Sequence, residues 1–202
     1  QSERTGFNHL YHYKSDGKLI NQLTDGDWVV NGPVKLANDE IYFSANADDY
    51  LERHLYKVPL ISDKQLRPEK VSIRAGWHTI NFPDEGNNYI DRFSSADQPT
   101  QISIHNLSGE RELWIEENKI NSDHPYSAYL GQHIKPEFGK INNKNGDELH
   151  YRMYKPENME PGKKYPVIFA LYGGPGSQLV RNVWGNLLHQ VWAQDGYVVF
   201  TL

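Results

Sequence analysis

From the N-terminus to about residue 118 the chain alternates apolar and polar positions in short runs, the period-two signature of half-buried strands. The runs are "FNHLYHYK", "LINQLT", "DWVVNG", "EIYFSANA", "RHLYKVPL" and "EKVSI", then "GWHTINF", "NYIDRFSSA", "TQISIHNL" and "LWIEEN". Gly, Asp, Asn and Pro punctuate nearly every junction, beginning with Ser15-Asp16-Gly17. Residues 119–138 lose the alternation and read as a connector, with one helical turn around Tyr126–Leu130. After that the pattern changes. "KINNKNGDELHYRMYKP" predicts a hairpin turning at Asn145-Gly146. "PGKKYPVIFALY" predicts a continuous apolar strand buried on both faces. Val180, Val183, Trp184, Leu187, Leu188, Val191 and Trp192 fall at helical spacing, with Gly196 as the stop, and "YVVFTL" predicts another buried strand. Strand, loop, helix and strand make a βαβ unit on a parallel sheet.

The strand-rich half repeats itself. His9-Leu10-Tyr11 recurs as His54-Leu55-Tyr56, and "LTDGDW" has a weaker counterpart in "VSIRAGW". The interval of about 45 residues is the four-strand period of a propeller blade. "QISIHNL" fills the same slot a third time, and Trp28 and Trp77, each in an aromatic position after a glycine, open successive blades. The count is two blades and the outer half of a preceding one; an open antiparallel sandwich is the plainer alternative. Two patterns in one chain imply two domains. Residues 1–118 are expected to be the last blades of a β-propeller and 119–138 a connector. Residues 139–202 would be the N-terminal part of an α/β-hydrolase domain.

Composition narrows the function. The chain has 202 residues, a net charge of -5 and no cysteine, so neither disulfides nor thiolate chemistry is available. No concentrated basic face suited to nucleic acid is present, and no apolar run reaches the length of a membrane span. Nine histidines invite a metal reading, but no HExxH or similar spacing occurs, and His9 and His12 point to opposite faces of a strand. Asp25-Gly26-Asp27 reads as a turn rather than a calcium loop, and the sequon Asn106-Leu107-Ser108 is too short a match to carry weight. No metal or cofactor is expected. Both termini, "QSERTGFNHLY" and "GYVVFTL", read as cut points within a longer protein.

The chemistry concentrates in "KKYPVIFALYGGPGSQ". In an α/β-hydrolase sheet the loop after the third strand builds half of an oxyanion hole. Glycines permit close backbone approach and positive φ, and fixed donors stabilise charge that appears only in the transition state. Tyr172 adds a phenol at the strand end, beside Gly173 and Gly174; packing at the strand end is its plainer role. No G-x-S-x-G nucleophile motif occurs, and Ser177 is placed to cap a helix rather than to attack a carbonyl.

These residues resemble a known family. "ERTGFNHLY", "ERHLYKVPL", "YIDRFSS", "KKYPVIFALYGGPGSQ" and "NVWGNLLHQVWAQDGYVVFTL" are similar to the dipeptidyl peptidase IV branch of the prolyl oligopeptidase family, most of all to its bacterial members. The resemblance runs over essentially the whole chain. It implies an eight-bladed propeller capping an α/β-hydrolase domain. The implied activity is removal of N-terminal X-Pro or X-Ala dipeptides from peptides by Ser-His-Asp chemistry, in a homodimer placed in the periplasm or outside the cell. Tyr172 matches the family tyrosine that stabilises the oxyanion. The nucleophile, its Asp and His partners and the acidic pair that grips the substrate amine have no counterpart here, and Glu40, Glu52 and Glu85 are not substitutes. The chain alone is therefore expected to be inactive. A related oligopeptidase or acyl-peptide hydrolase, or a non-enzymatic propeller homologue that binds peptides or proteins, remains an alternative for the parent protein.

Overall fold

The computed structural model describes residues 1–61 and 67–202. It divides into two compact units, one of residues 1–95 and 100–117, the other of residues 96–99 and 118–202.

The first unit opens with a two-stranded antiparallel sheet, β1 (Tyr11–Tyr13) and β2 (Leu19–Gln22). Gly17, at φ +83°, makes the turn between them. Next comes a four-stranded antiparallel meander of β3 (Val30–Ala37), β4 (Glu40–Ala45), β5 (His54–Pro59) and β6 (Glu69–Lys70). Asn38 and Asp39 connect its first two strands with φ of +52° and +60°, the left-handed pair that suits a two-residue hairpin. A second four-stranded meander follows: β7 (Trp77–Asn81), β8 (Asn88–Ser95), β9 (Gln98–Asn106) and β10 (Arg111–Glu116). The β1–β2, β3–β4, β4–β5, β5–β6, β7–β8 and β9–β10 pairings are all antiparallel.

Period-two alternation decides which face each residue serves. On β8, Tyr89, Asp91 and Phe93 are buried and the residues between them are exposed. Strand β4 is buried on both faces. Ile41, Phe43 and Ala45 join a core with Leu10, Leu23, Val30, Tyr56 and Val58. Tyr42 points the other way, into a core with Leu55, Val71, Ile80, Tyr89 and Leu107. The middle sheet is thus covered on both sides, as in stacked blades.

The repeated sequence has a repeated structural role. The Leu10 N–H donates to Thr24 Oγ1 at 2.9 Å, and His9 Nδ1 lies 3.1 Å from the same oxygen. One repeat later, the Leu55 N–H donates to Ser72 Oγ at 2.9 Å, with His54 Nδ1 at 3.2 Å. In the third slot Gln101 replaces the histidine and donates its side-chain amide to the Glu117 carbonyl. Trp28 and Trp77 both pack inward, Trp28 against the first core and Trp77 as a buried residue of β7.

In the second unit, residues Ser127–Gln132 form a 3₁₀ turn. Strands β11 (Glu137–Asn142) and β12 (Glu148–Tyr154) form the predicted hairpin, with Gly146 at φ +91°. The sheet runs β11, β12, β14 (Val198–Thr201), β13 (Val167–Phe169), and the β13–β14 pairing is parallel. Helix α1 spans Leu187–Gln194 between them.

Three expectations about this unit need correction. The helix begins at Leu187, not near Val180, because Asn186 caps it by accepting the Leu188 N–H at 3.0 Å. Ser177 therefore does not cap this helix. The apolar residues upstream serve irregular backbone instead: Val180 is buried there, and Trp184 stacks on His133 at 4.4 Å. Strand β13 is short and lies at the sheet edge, and Val167 and Phe169 are exposed rather than buried on both faces. Gly196 does end the helix. At φ +92° it donates to the Ala193 carbonyl while Tyr197 donates to that of Trp192, a Schellman closure.

Candidate functional site

The glycine loop leaves the sheet directly after β13. Ala170 still donates to the Phe200 carbonyl at 2.8 Å, so the backbone is held to the parallel ladder up to that residue. Beyond it, Leu171 to Gly174 carry no regular structure. The Tyr172 side chain is solvent-accessible, with 65% of the residue exposed. It does not pack at the strand end among aliphatic neighbours.

Its phenol folds back over the loop. A Cβ built on Gly174 would sit 2.7 Å from the Tyr172 hydroxyl oxygen and closer still to the ring. Only glycine lets the ring lie in this position. Gly173 has open space at its Cβ direction. The positive φ expected of this loop belongs to Gly176, at +70°, and not to Gly173 or Gly174. Among the described residues, the N–H groups of Gly173 and Gly174 make no backbone hydrogen bond. A phenol hydroxyl and unengaged main-chain donors therefore share one exposed loop, an arrangement that suits a developing oxyanion.

Two of the acidic residues weighed in the sequence, Glu40 and Glu52, have other roles. Glu40 pairs with Lys57 at 3.2 Å and accepts the Tyr42 hydroxyl at 3.0 Å, and Glu52 lies 2.8 Å from His54 Nε2. Among the described residues, no group of three or more His, Asp or Glu side chains converges as a metal site would require. No helix among them is long and apolar enough to cross a membrane.

Sequence reasoning missed the polar interior of the first unit. His78 and Asp91, both buried, pair at 2.7 Å. His78 Nε2 faces the Arg74 carbonyl at 2.9 Å. The only signal in the sequence was alternation: His78 and Asp91 occupy inward positions of β7 and β8.

Comparison with known proteins agrees with this architecture. The family model described as dipeptidyl peptidase IV (DPP IV) N-terminal region matches residues 1–100. Dipeptidyl peptidase 4 of Trichophyton equinum is 30% identical over 198 residues, covering 92% of this chain and 24% of its own length. The chain is similar to the dipeptidyl peptidase IV family. Within that family, a probable dipeptidyl-aminopeptidase B of Emericella nidulans is 32% identical over 98% of this chain and 22% of its own length. The crystal structure of Porphyromonas gingivalis dipeptidyl peptidase 4 superposes with a TM-score of 0.83 at 27% identity, covering 99% of this chain and 28% of that one. The mostly antiparallel sheets match the β-propeller region of that dipeptidyl peptidase. The chain thus spans about a quarter of the length of the dipeptidyl peptidases it matches.

Proposed function

We propose that this chain is part of a serine dipeptidyl peptidase that removes N-terminal X-Pro or X-Ala dipeptides from peptides. Residues 1–118 are the last blades of its propeller, 119–138 a connector, and 139–202 the opening of an α/β-hydrolase domain. Tyr172 donates its phenol hydrogen to the oxyanion of the tetrahedral intermediate, while Gly173 and Gly174 let the loop backbone approach the reacting carbonyl. The intact enzyme works as a homodimer on peptide substrates.

One observation carries the reading: the Tyr172 phenol is exposed and laid over Gly174 at the end of the strand that pairs in parallel with β14. The relatives' names supply the reaction class, since those proteins are dipeptidyl peptidases and dipeptidyl-aminopeptidases. The 202-residue stretch alone has no G-x-S-x-G motif, so it is expected to show no turnover of a dipeptidyl-p-nitroanilide.

The test is Tyr172→Phe in the intact enzyme. Loss of one oxyanion donor is expected to lower kcat by roughly 10²–10³-fold, with KM little changed. An unchanged kcat removes Tyr172 from the chemistry. Comparing free with blocked N-termini separates a dipeptidyl peptidase from an oligopeptidase or acyl-peptide hydrolase. Absence of turnover on all of them favours a homologue that only binds.

A further inference from the structure

A cavity of about 290 Å³ opens in the first unit, between the inward face of the second meander and the segment leading into it. Ser72, Ile73 and Arg74 close it from the β6–β7 connection. His78, Asp91, Ser103, His105 and Arg111 line it from the four strands of the sheet.

The hydrogen bonds show which donors the protein has already used. His78 spends both ring nitrogens, on Asp91 at 2.7 Å and on the Arg74 carbonyl at 2.9 Å. His105 Nδ1 donates to the Gly109 carbonyl at 3.0 Å, so its Nε2 accepts the Ser103 hydroxyl at 2.9 Å. Among the charged side chains, the donors left over belong to the arginines. Arg74 gives one N–H to Gln101 at 2.8 Å, and its guanidinium covers the Phe93 ring at 3.9 Å. Arg111 rests on the Trp114 ring at 4.0 Å. Their neighbourhood is one of mutual influence: burial lowers the Arg74 pKa, the Asp91 carboxylate opposes that, and the Arg111 charge adds to it.

Two guanidiniums thus face one cavity against a single carboxylate, of which Asp91 Oδ2 is spent on His78 and Oδ1 has no hydrogen-bond partner among the described residues. A guanidinium presents a planar fork of N–H groups that matches the oxygens of a carboxylate or phosphate. Aromatic faces beneath both arginines hold the forks in place. We propose that this cavity binds a small oxyanion, either the carboxylate of a blocked amino acid or peptide end or a free phosphate, gripped between Arg74 and Arg111. The site draws on none of the glycine-loop residues, so it stands whether or not the peptidase reading does.

The experiment is calorimetric titration of the intact protein at low ionic strength, in a buffer free of oxyanions. The probes are inorganic phosphate, N-acetylglycine and N-acetylglycinamide. Saturable binding of phosphate or N-acetylglycine, without binding of the neutral amide, is expected, and the stronger of the two identifies the source. Arg111→Gln is expected to weaken binding at least tenfold. Arg111 is exposed and its guanidinium stacks on the Trp114 ring, so its loss is expected to leave the sheets intact. Arg74→Gln is expected to do the same, and Arg111→Lys to restore binding in part. The proposal is overturned if neither anion binds, if both glutamine variants bind as the parent does, or if the amide binds as well as the acids.

Discussion

Ser72 Oγ, just beyond β6, accepts the backbone N–H of Leu55 in β5 at 2.9 Å, within a buried layer. Thr24 does the same for Leu10 one repeat earlier. A hydroxyl in this place stands in for a strand neighbour's carbonyl. Removing it leaves a buried N–H with no acceptor, at a cost of roughly 1–3 kcal/mol. Ser72→Ala is therefore expected to lower the melting temperature of the intact protein, and Ser72→Thr to preserve it, because threonine already fills the equivalent position. Thermal denaturation of both variants checks this.

Gly174 is expected to matter for rate rather than for stability. Its loop is exposed, so an alanine costs the core nothing, but the Cβ would meet the Tyr172 ring and drive the phenol away. Under the role proposed for Tyr172, a displacement of this kind lowers turnover of the intact enzyme by about 10²-fold. Gly174→Ala should show that loss in steady-state kinetics, with an unchanged melting temperature. Gly173→Ala, with open space around it, should lose much less.

Gly185 is expected to show the opposite balance. It sits against the hydroxyl of Tyr154, a fully buried side chain. Its φ lies outside the left-handed region, so space rather than backbone strain is what excludes a side chain. Gly185→Ala is expected to destabilise by about 1–3 kcal/mol, the usual cost of overpacking. Gly185→Ala combined with Tyr154→Phe should recover part of it, which a double-variant denaturation cycle measures.

Acid should weaken the second unit through His189. Burial first, and the Arg152 charge second, hold its imidazole below the ordinary value of 6.5. The unfolded chain then takes up the proton before the folded one does. Above about 6.5 the ring is neutral in both states and contributes no pH dependence; below it the unfolded state gains protons and stability falls. His133 acts in the same direction: burial lowers it, Asp97 opposes and Lys135 adds. Melting temperatures measured from pH 8 to 5 should be flat at first and then decline. His189→Phe, which keeps an aromatic ring beside Trp192 and Tyr154, should decline less steeply than the parent.

Much of the first unit was legible because its signals are local. Gly17 and the alternation on β8 each dictate structure within a few residues. The sequence echo even aligned Thr24 with Ser72, although their shared hydrogen bond could not be read from it. What escaped depends on distant partners. Strand β3 runs through Gly32-Pro33 because a register shift between Val30 and Val34 absorbs both residues. The region from Val180 to Trp184 has helical spacing, yet its residues answer to neighbours far along the chain. Asn182 accepts the Ala96 N–H at 2.9 Å, and Trp184 stacks on His133. Periodicity records that a residue wants burial, not which surface will provide it. In the glycine loop the sequence named Tyr172 and its glycines, while the fold of the phenol over Gly174 required coordinates.

The paired hydroxyl clamps also supply a natural reporter. An amide proton held by a side-chain oxygen exchanges with solvent only when that side chain lets go, so the Leu10 and Leu55 amides time the opening of their own strands. Deuterium uptake at these two leucines would compare the two repeats within one molecule, each against its own internal copy. The difference in their protection would measure how much one methyl group, threonine against serine, slows the breathing of a sheet.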